Sequence, residues 1–185
     1  MKRLFWKIED LIWNVKCCYN FWLHGPYGLA KVIEKIPYLY GINDHFDAEN
    51  SHVVPSLILK IHNAKLKEDK AVTLWGSGIA KREFLFSEDA ADAIIYVLEK
   101  VAAKDIYSDT VKCLNIGSGL EITIKDLAFL IKEIVNYKGD ILFDTSKPDG
   151  ALRKIVDCSK INTLGWQAKV SLENGLKLTY DFFAK

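Results

Sequence analysis

The feature that most constrains this chain is an alternation of two periods. From residue 36 onward, short apolar runs of strand length alternate with longer stretches whose apolar residues recur every three or four positions. That order fits an α/β arrangement, in which each helix covers a sheet face. Residues 36–40 read as a strand, followed by a loop over 41–51. A helix then starts at a cap, Asn50 or Ser51, and buries Val54, Leu57, Ile58, Ile61 and Ala64. Pro55 falls in its first turn, where a missing N–H costs nothing. Residues 71–75 and 82–86 read as strands, separated by the turn Gly76-Ser77-Gly78. Ser87 caps the next helix, with Glu88 and Asp89 in its first turn, where the dipole favours acids. The expected apolar face of that helix is Ala91, Ile94, Ile95, Leu98 and Val101.

The second half repeats the pattern. Residues 113–116 are a strand closed by Gly117-Ser118-Gly119, and Thr123 with Asp126 resembles a capping box. The helix behind it buries Leu127, Leu130, Ile131, Ile134 and Val135. A strand at 141–143, a turn at Lys147-Pro148-Asp149-Gly150 and a short helix over 159–164 follow. The last helix runs from Ser171 with Leu172, Leu176, Thr179, Tyr180 and Phe183 on one face. Residues 1–25 differ in kind. They are rich in Trp and Cys, contain no Ser, Thr or Ala, and form a separate segment ahead of a unit over 26–185.

Charge and composition exclude several functions. Lys+Arg 25 against Asp+Glu 24 leaves a net charge of +1, which argues against nucleic-acid binding by bulk charge. The four cysteines form no C-x-x-C and have no His at metal-ligand spacing, so free thiols in a reducing cytoplasm are expected and no metal site. The apolar start is interrupted by Lys7, Glu9 and Asp10, and no run is long enough to span a membrane.

Two G-x-G turns occur, at Gly76/Gly78 and Gly117/Gly119, and neither has the third glycine of a dinucleotide-binding G-x-G-x-x-G. Both read as ordinary turns. Tyr27 and Lys31 stand four residues apart, so on a helix the ammonium would lie beside the phenol and lower its pKa. Tyr96 and Lys100 repeat the spacing, so the pattern alone does not choose between catalysis and helix packing.

Longer stretches are more specific. LYGINDHFDAENSHVVPSLILKIHNAK, VTLWGSGIAKREFLFSEDAADA, LNIGSG, ITIKDLA, KGDILFDTSKPDGALRKIVDCSKINTLGW and SLENGL, together with PYGLAK at 26–31, resemble the C-terminal part of the GDP-L-fucose synthase family of extended short-chain dehydrogenase/reductases. The resemblance implies a truncated Rossmann-like remnant plus a small α/β substrate-binding C-terminal domain. It implies NADPH-dependent epimerisation and reduction of a GDP-linked 4-keto sugar, and a homodimer. By resemblance, Tyr27 and Lys31 are the catalytic pair, Lys31 also holding the cofactor, and His52 is the epimerisation acid near the cofactor. Leu39 falls where backbone meets the NADP; Lys60, Trp75, Arg82 and Asp149 fall at substrate contacts. The chain departs from the family in lacking the Gly-rich turn, the S-S-C motif and an upstream hydroxyl, and Pro37 and Tyr38 replace Thr and Asn. No NADPH binding is therefore expected of the isolated chain. Besides the enzyme, two alternatives remain: a non-turning-over binder of a nucleotide sugar, and a related GDP-heptose reductase or epimerase.

Overall fold

The computed structural model describes residues 33–47, 50–106 and 113–185. Tyr27, Lys31, Cys17 and Cys18 lie outside them. The described chain runs β1 (Ile33–Lys35), β2 (Tyr38–Tyr40), α1 (Val53–Leu66), β3 (Ala71–Trp75), β4 (Lys81–Phe86), α2 (Ser87–Lys100) and α3 (Ala103–Ile106). It continues through β5 (Leu114–Asn115), β6 (Glu121–Thr123), α4 (Ile124–Val135), β7 (Asp140–Asp144), β8 (Arg153–Lys154), α5 (Ser159–Thr163) and α6 (Leu172–Phe183). Strand β2 begins only after Pro37, which has no N–H to give a ladder. Strands β1, β6 and β8 have two or three residues each, too few to leave a period in the sequence.

Among the described residues, four of the five strand pairings are parallel. Strand β1 pairs with β5, β2 with β4, and β3 with β7, the last in register from Ala71↔Asp140 to Trp75↔Asp144. The first half of β4 is flanked on both edges, by β6 antiparallel and by β8 parallel. Glu121 on β6 fastens those edges, accepting from Lys81 at 2.8 Å and Arg153 at 2.7 Å.

Strand β4 divides the interior in two. Its Phe84 and Phe86 face a core built by α1, α4 and α6, with Ile58, Ile61, Leu127, Ile131 and Leu176. Leu85, pointing the other way, enters a second core with Ala93, Val97, Leu114, Ile116, Ile161 and Trp166. In the first core, the stripe expected on α1 is buried as the periodicity predicts. At the α1–α6 seam, the His62 Nδ1 and Tyr180 hydroxyl stand 3.1 Å apart.

Several local expectations need correction. The N-cap of α1 is His52, with no side-chain cap bond, because Ser51 Oγ is committed to the preceding loop, donating to His45 O at 2.7 Å and accepting from Asp47 N. Helix α2 has Phe86, not Ser87, at its N-cap. Its inward face is Asp89, Ala90, Ala93 and Val97, one position round from most of the expected stripe: Ile95 and Leu98 are exposed, Ile94 is partly buried, and Val101, just past the helix, is buried as expected. Asp89 explains the rotation: its buried carboxylate must accept from Lys169 N at 3.1 Å and Val170 N at 2.9 Å. Thr123 and Asp126 do form the start of α4, with Asp126 N donating to Thr123 Oγ1 at 3.0 Å. Among the described residues, no helix is long and apolar enough to cross a membrane and no His/Cys/Asp/Glu group could hold a metal.

Candidate functional site

The site grows from the end of β3. Trp75 is the last residue of that strand and points out of the sheet, 72% exposed. Gly76 and Gly78 follow with φ of 81° and 76°, a left-handed conformation that side chains resist. Asp149 holds this turn. Its Oδ1 accepts from Ser77 N at 2.7 Å and Gly78 N at 3.3 Å, and its Oδ2 accepts from Ser77 Oγ at 2.7 Å. Those bonds, the Ser77 hydroxyl first, hold the Asp149 carboxyl below the usual carboxylate range.

Two ammonium groups stand over the Trp75 ring: Lys60 from α1 at 5.8 Å and Lys147 from the loop after β7 at 5.9 Å. Gly150, next to Asp149, brings the loop against Arg82; a Cβ there would lie 3.9 Å from Arg82 Nη2. Arg82 is 8% exposed and gives Nη1 to its neighbour's carbonyl, Lys81 O, at 2.8 Å. Across the β4–β8 ladder it is registered with Lys154, a second cation, whose Nζ lies 5.0 Å over the Tyr38 ring. Among the described residues, no carboxylate pairs with Arg82, Lys60 or Lys147. Residues 35–38 and 154–156 line an adjoining pocket of about 280 Å³.

Four expected residues are thus drawn together: Lys60 with Trp75 directly, and Asp149 and Arg82 through the 147–150 loop. His52 stands at the start of α1, eight residues before Lys60, or about 12 Å along the axis at the rise of an α-helix. It is exposed, and its nearest charged neighbours include Asp44, whose carboxyl is pushed up by burial while His45 and His52 pull it down. Leu39 is half-buried in β2 and packs against the second core. Lys147, Lys154 and Ser77 were invisible as site residues in the sequence. Nothing in a surface lysine's spacing reports that it will stand over an aromatic ring 72 residues away.

Glu83, beside Arg82, faces the opposite way. It is buried, and accepts from Gly119 N at 2.9 Å and Val156 N at 3.0 Å. Both G-x-G turns are therefore closed by carboxylates of the protein itself, one by Asp149 and one by Glu83. The Ser77, Gly78 and Gly119 amides are thus already bonded within the protein, so neither G-x-G turn offers them to a phosphate.

The basic, aromatic cleft lies beside strand ends, where α/β folds place their ligand sites. The NAD dependent epimerase/dehydratase family matches residues 20–117, more than half of the chain, and the chain belongs to that family. The match takes in the last residues of the compositionally distinct leading segment. Among individual relatives, the GDP-L-fucose synthase of Sinorhizobium fredii is 44% identical over 179 residues, covering 96% of this chain and 54% of its own. A putative GDP-L-fucose synthase 2 of Arabidopsis thaliana is 46% identical over 145 residues, 78% of this chain and 42% of its own. The chain spans about half the length of the curated relatives it matches. A solved GDP-6-OMe-4-keto-L-xylo-heptose reductase from C. jejuni superposes with a TM-score of 0.74 at 35% identity, over 80% of this chain and 51% of that one. A GDP-L-fucose synthetase from Naegleria fowleri, solved with NADP, gives 0.68 at 28% identity, over 80% and 44%. The α/β fold with parallel strand pairing is that of these reductases and epimerases.

Proposed function

We propose that the protein binds a GDP-linked sugar in the cleft between Trp75 and Arg82, as the substrate-binding part of an epimerase-reductase. One observation carries the reading: Arg82 is a nearly buried guanidinium with no carboxylate partner among the described residues. A buried charge without a counter-charge is costly, and a diphosphate supplies one in a geometry that suits the planar fork. Trp75 offers an apolar wall, Lys60 a second cation, and Asp149 keeps the turn between them in place while its free lone pairs face hydroxyl groups of ligand. His52 is assigned the proton donor to the carbon next to the sugar ketone, and Tyr27 with Lys31 the phenol–ammonium pair that would protonate the alkoxide left when a reduced nicotinamide cofactor gives hydride to the ketone. The names of the relatives, GDP-L-fucose synthases and a GDP-heptose reductase, support the GDP-sugar class.

Calorimetric titration of the full chain with GDP tests the reading. Wild-type protein should bind, and Arg82→Ala should weaken binding by about 1.5–3 kcal/mol, the scale of a hydrogen bond to a charged group. Absence of binding, or an Arg82→Ala variant with unchanged affinity, would remove it.

A further inference from the structure

We infer that Lys147 is a second phosphate-contacting residue of this cleft, paired with Lys60 across the Trp75 platform; the inference rests on the GDP-sugar reading above. The resemblance assigned Lys147 no role, and it reads in the sequence as the first residue of a turn. Its position is nevertheless built from several sides. Trp75 and Asp144 are registered partners in the β3–β7 ladder. The Asp144 carbonyl then accepts from two amides at once: Gly76 N at 2.9 Å and Lys147 N at 3.2 Å. One oxygen thereby ties the base of Lys147 to the residue after Trp75. The turn between is fixed by the Asp144 side chain, whose Oδ1 accepts from Ser146 N at 3.0 Å and Ser146 Oγ at 2.6 Å. Two residues after Lys147, Asp149 returns the chain to Ser77 and Gly78. Lys147 is held before and behind to the segment that carries the indole.

Such anchoring has no evident purpose in the fold alone. Lys147 is exposed and forms no ion pair among the described residues, and an exposed cation over an aromatic ring is a weak contact. Lys60 stands over the same ring, also unpaired. Two exposed ammonium groups without a carboxylate partner among the described residues are thus brought to 5.8 Å and 5.9 Å from the centre of one indole. The same loop ends at Gly150 against the buried guanidinium of Arg82. Lys147 therefore extends the positive charge of Arg82 and Lys60 along one wall, a length of charge that suits two phosphates in series rather than one. Its flexible point-charge head complements the fixed fork of Arg82.

The test is calorimetric GDP binding by wild type, Lys147→Ala and Lys147→Arg, at low and high salt. Lys147→Ala should weaken GDP about tenfold, the low end for a hydrogen bond to a charged group. It should also make the affinity less sensitive to salt, because one exposed charge has left the contact. Lys147→Arg should restore most of the affinity. Since the side chain is exposed, both variants should fold as the wild type does. Unchanged affinity in Lys147→Ala, or a loss that Lys147→Arg does not repair, would overturn the inference. If Arg82→Ala weakens GDP and Lys147→Ala does not, the GDP reading stands and this one fails. If wild type binds no GDP, both fall.

Discussion

Cys158 shows how far a single residue's chemistry is set by its neighbours. Its thiol is buried at the start of α5, and burial first, then the Glu83 carboxylate 3.9 Å away, pushes its pKa up to about 12. Only the thiolate is nucleophilic, so this cysteine should be inert in the folded protein. Iodoacetamide at pH 8 should leave Cys158 unmodified in native protein and label it in urea, as read by peptide mass. Native labelling at a rate near that of a free thiol would show that the Glu83 cluster is open. Nothing in the sequence distinguishes Cys158 from the other cysteines, because the carboxylate that meets its thiol, Glu83, is 75 residues away, although the Val156 carbonyl that it also meets is local. Asp149 is the complementary case. Its turn setting was readable, but the use of its carboxylate to hold Ser77 and Gly78 depends on two loops meeting in space.

At the scale of elements, α2 separates the two stripes a helical period can offer. Val97 is fully buried, whereas Leu98 is 42% exposed. Val97→Ala should cost about 1.5–3 kcal/mol, the value of burying such a side chain. Leu98→Ala should change stability by no more than about 0.5 kcal/mol, as for ordinary surface positions. Urea midpoints of the two variants measure the contrast, and a larger loss for Leu98→Ala would restore the stripe expected from the sequence. Helix α1 was legible from its apolar stripe alone, and α4 and α6 from stripe and start signal together: Thr123 accepts from Asp126 N, and Ser171 from Asn174 N. Helix α2 was misjudged because its faces carry similar apolar weight, and two aspartates decide between them. Asp89 binds the amides of Lys169 and Val170, and Asp92 accepts from the Trp166 indole at 2.8 Å. Hydrophobic periodicity counts apolar residues and is blind to such polar bonds.

For the molecule as a whole, the shared strand β4 joins the two cores. Phe84 and Phe86 serve one, and Leu85 the other. Removing Leu85 should therefore loosen both. Leu85→Ala should lower stability by about 2–5 kcal/mol. Fluorescence of Trp166 in a background whose other four tryptophans are phenylalanine, reporting the second core, and far-UV circular dichroism, reporting all helices, should give the same midpoint with and without the Leu85→Ala change. Two separated midpoints would mean that the cores unfold independently. The α/β order was legible at this scale because strand and helix periods differ. The pairing of β4 with β6 and β8 was not, since those strands have three residues and two.

The closed glycine turns bear on how this cleft meets the phosphates of a cell. Asp149 and Glu83 occupy the amides by attachment through the chain, so each acts as a tethered competitor. A tethered group can present an effective concentration of about millimolar or more. A free anion must outcompete that carboxylate, and also overcome its negative charge, to reach the same amides. Those amides are thereby withheld from free phosphate, and on the proposed GDP-sugar reading the choice of anion rests with Arg82 and the lysines around Trp75.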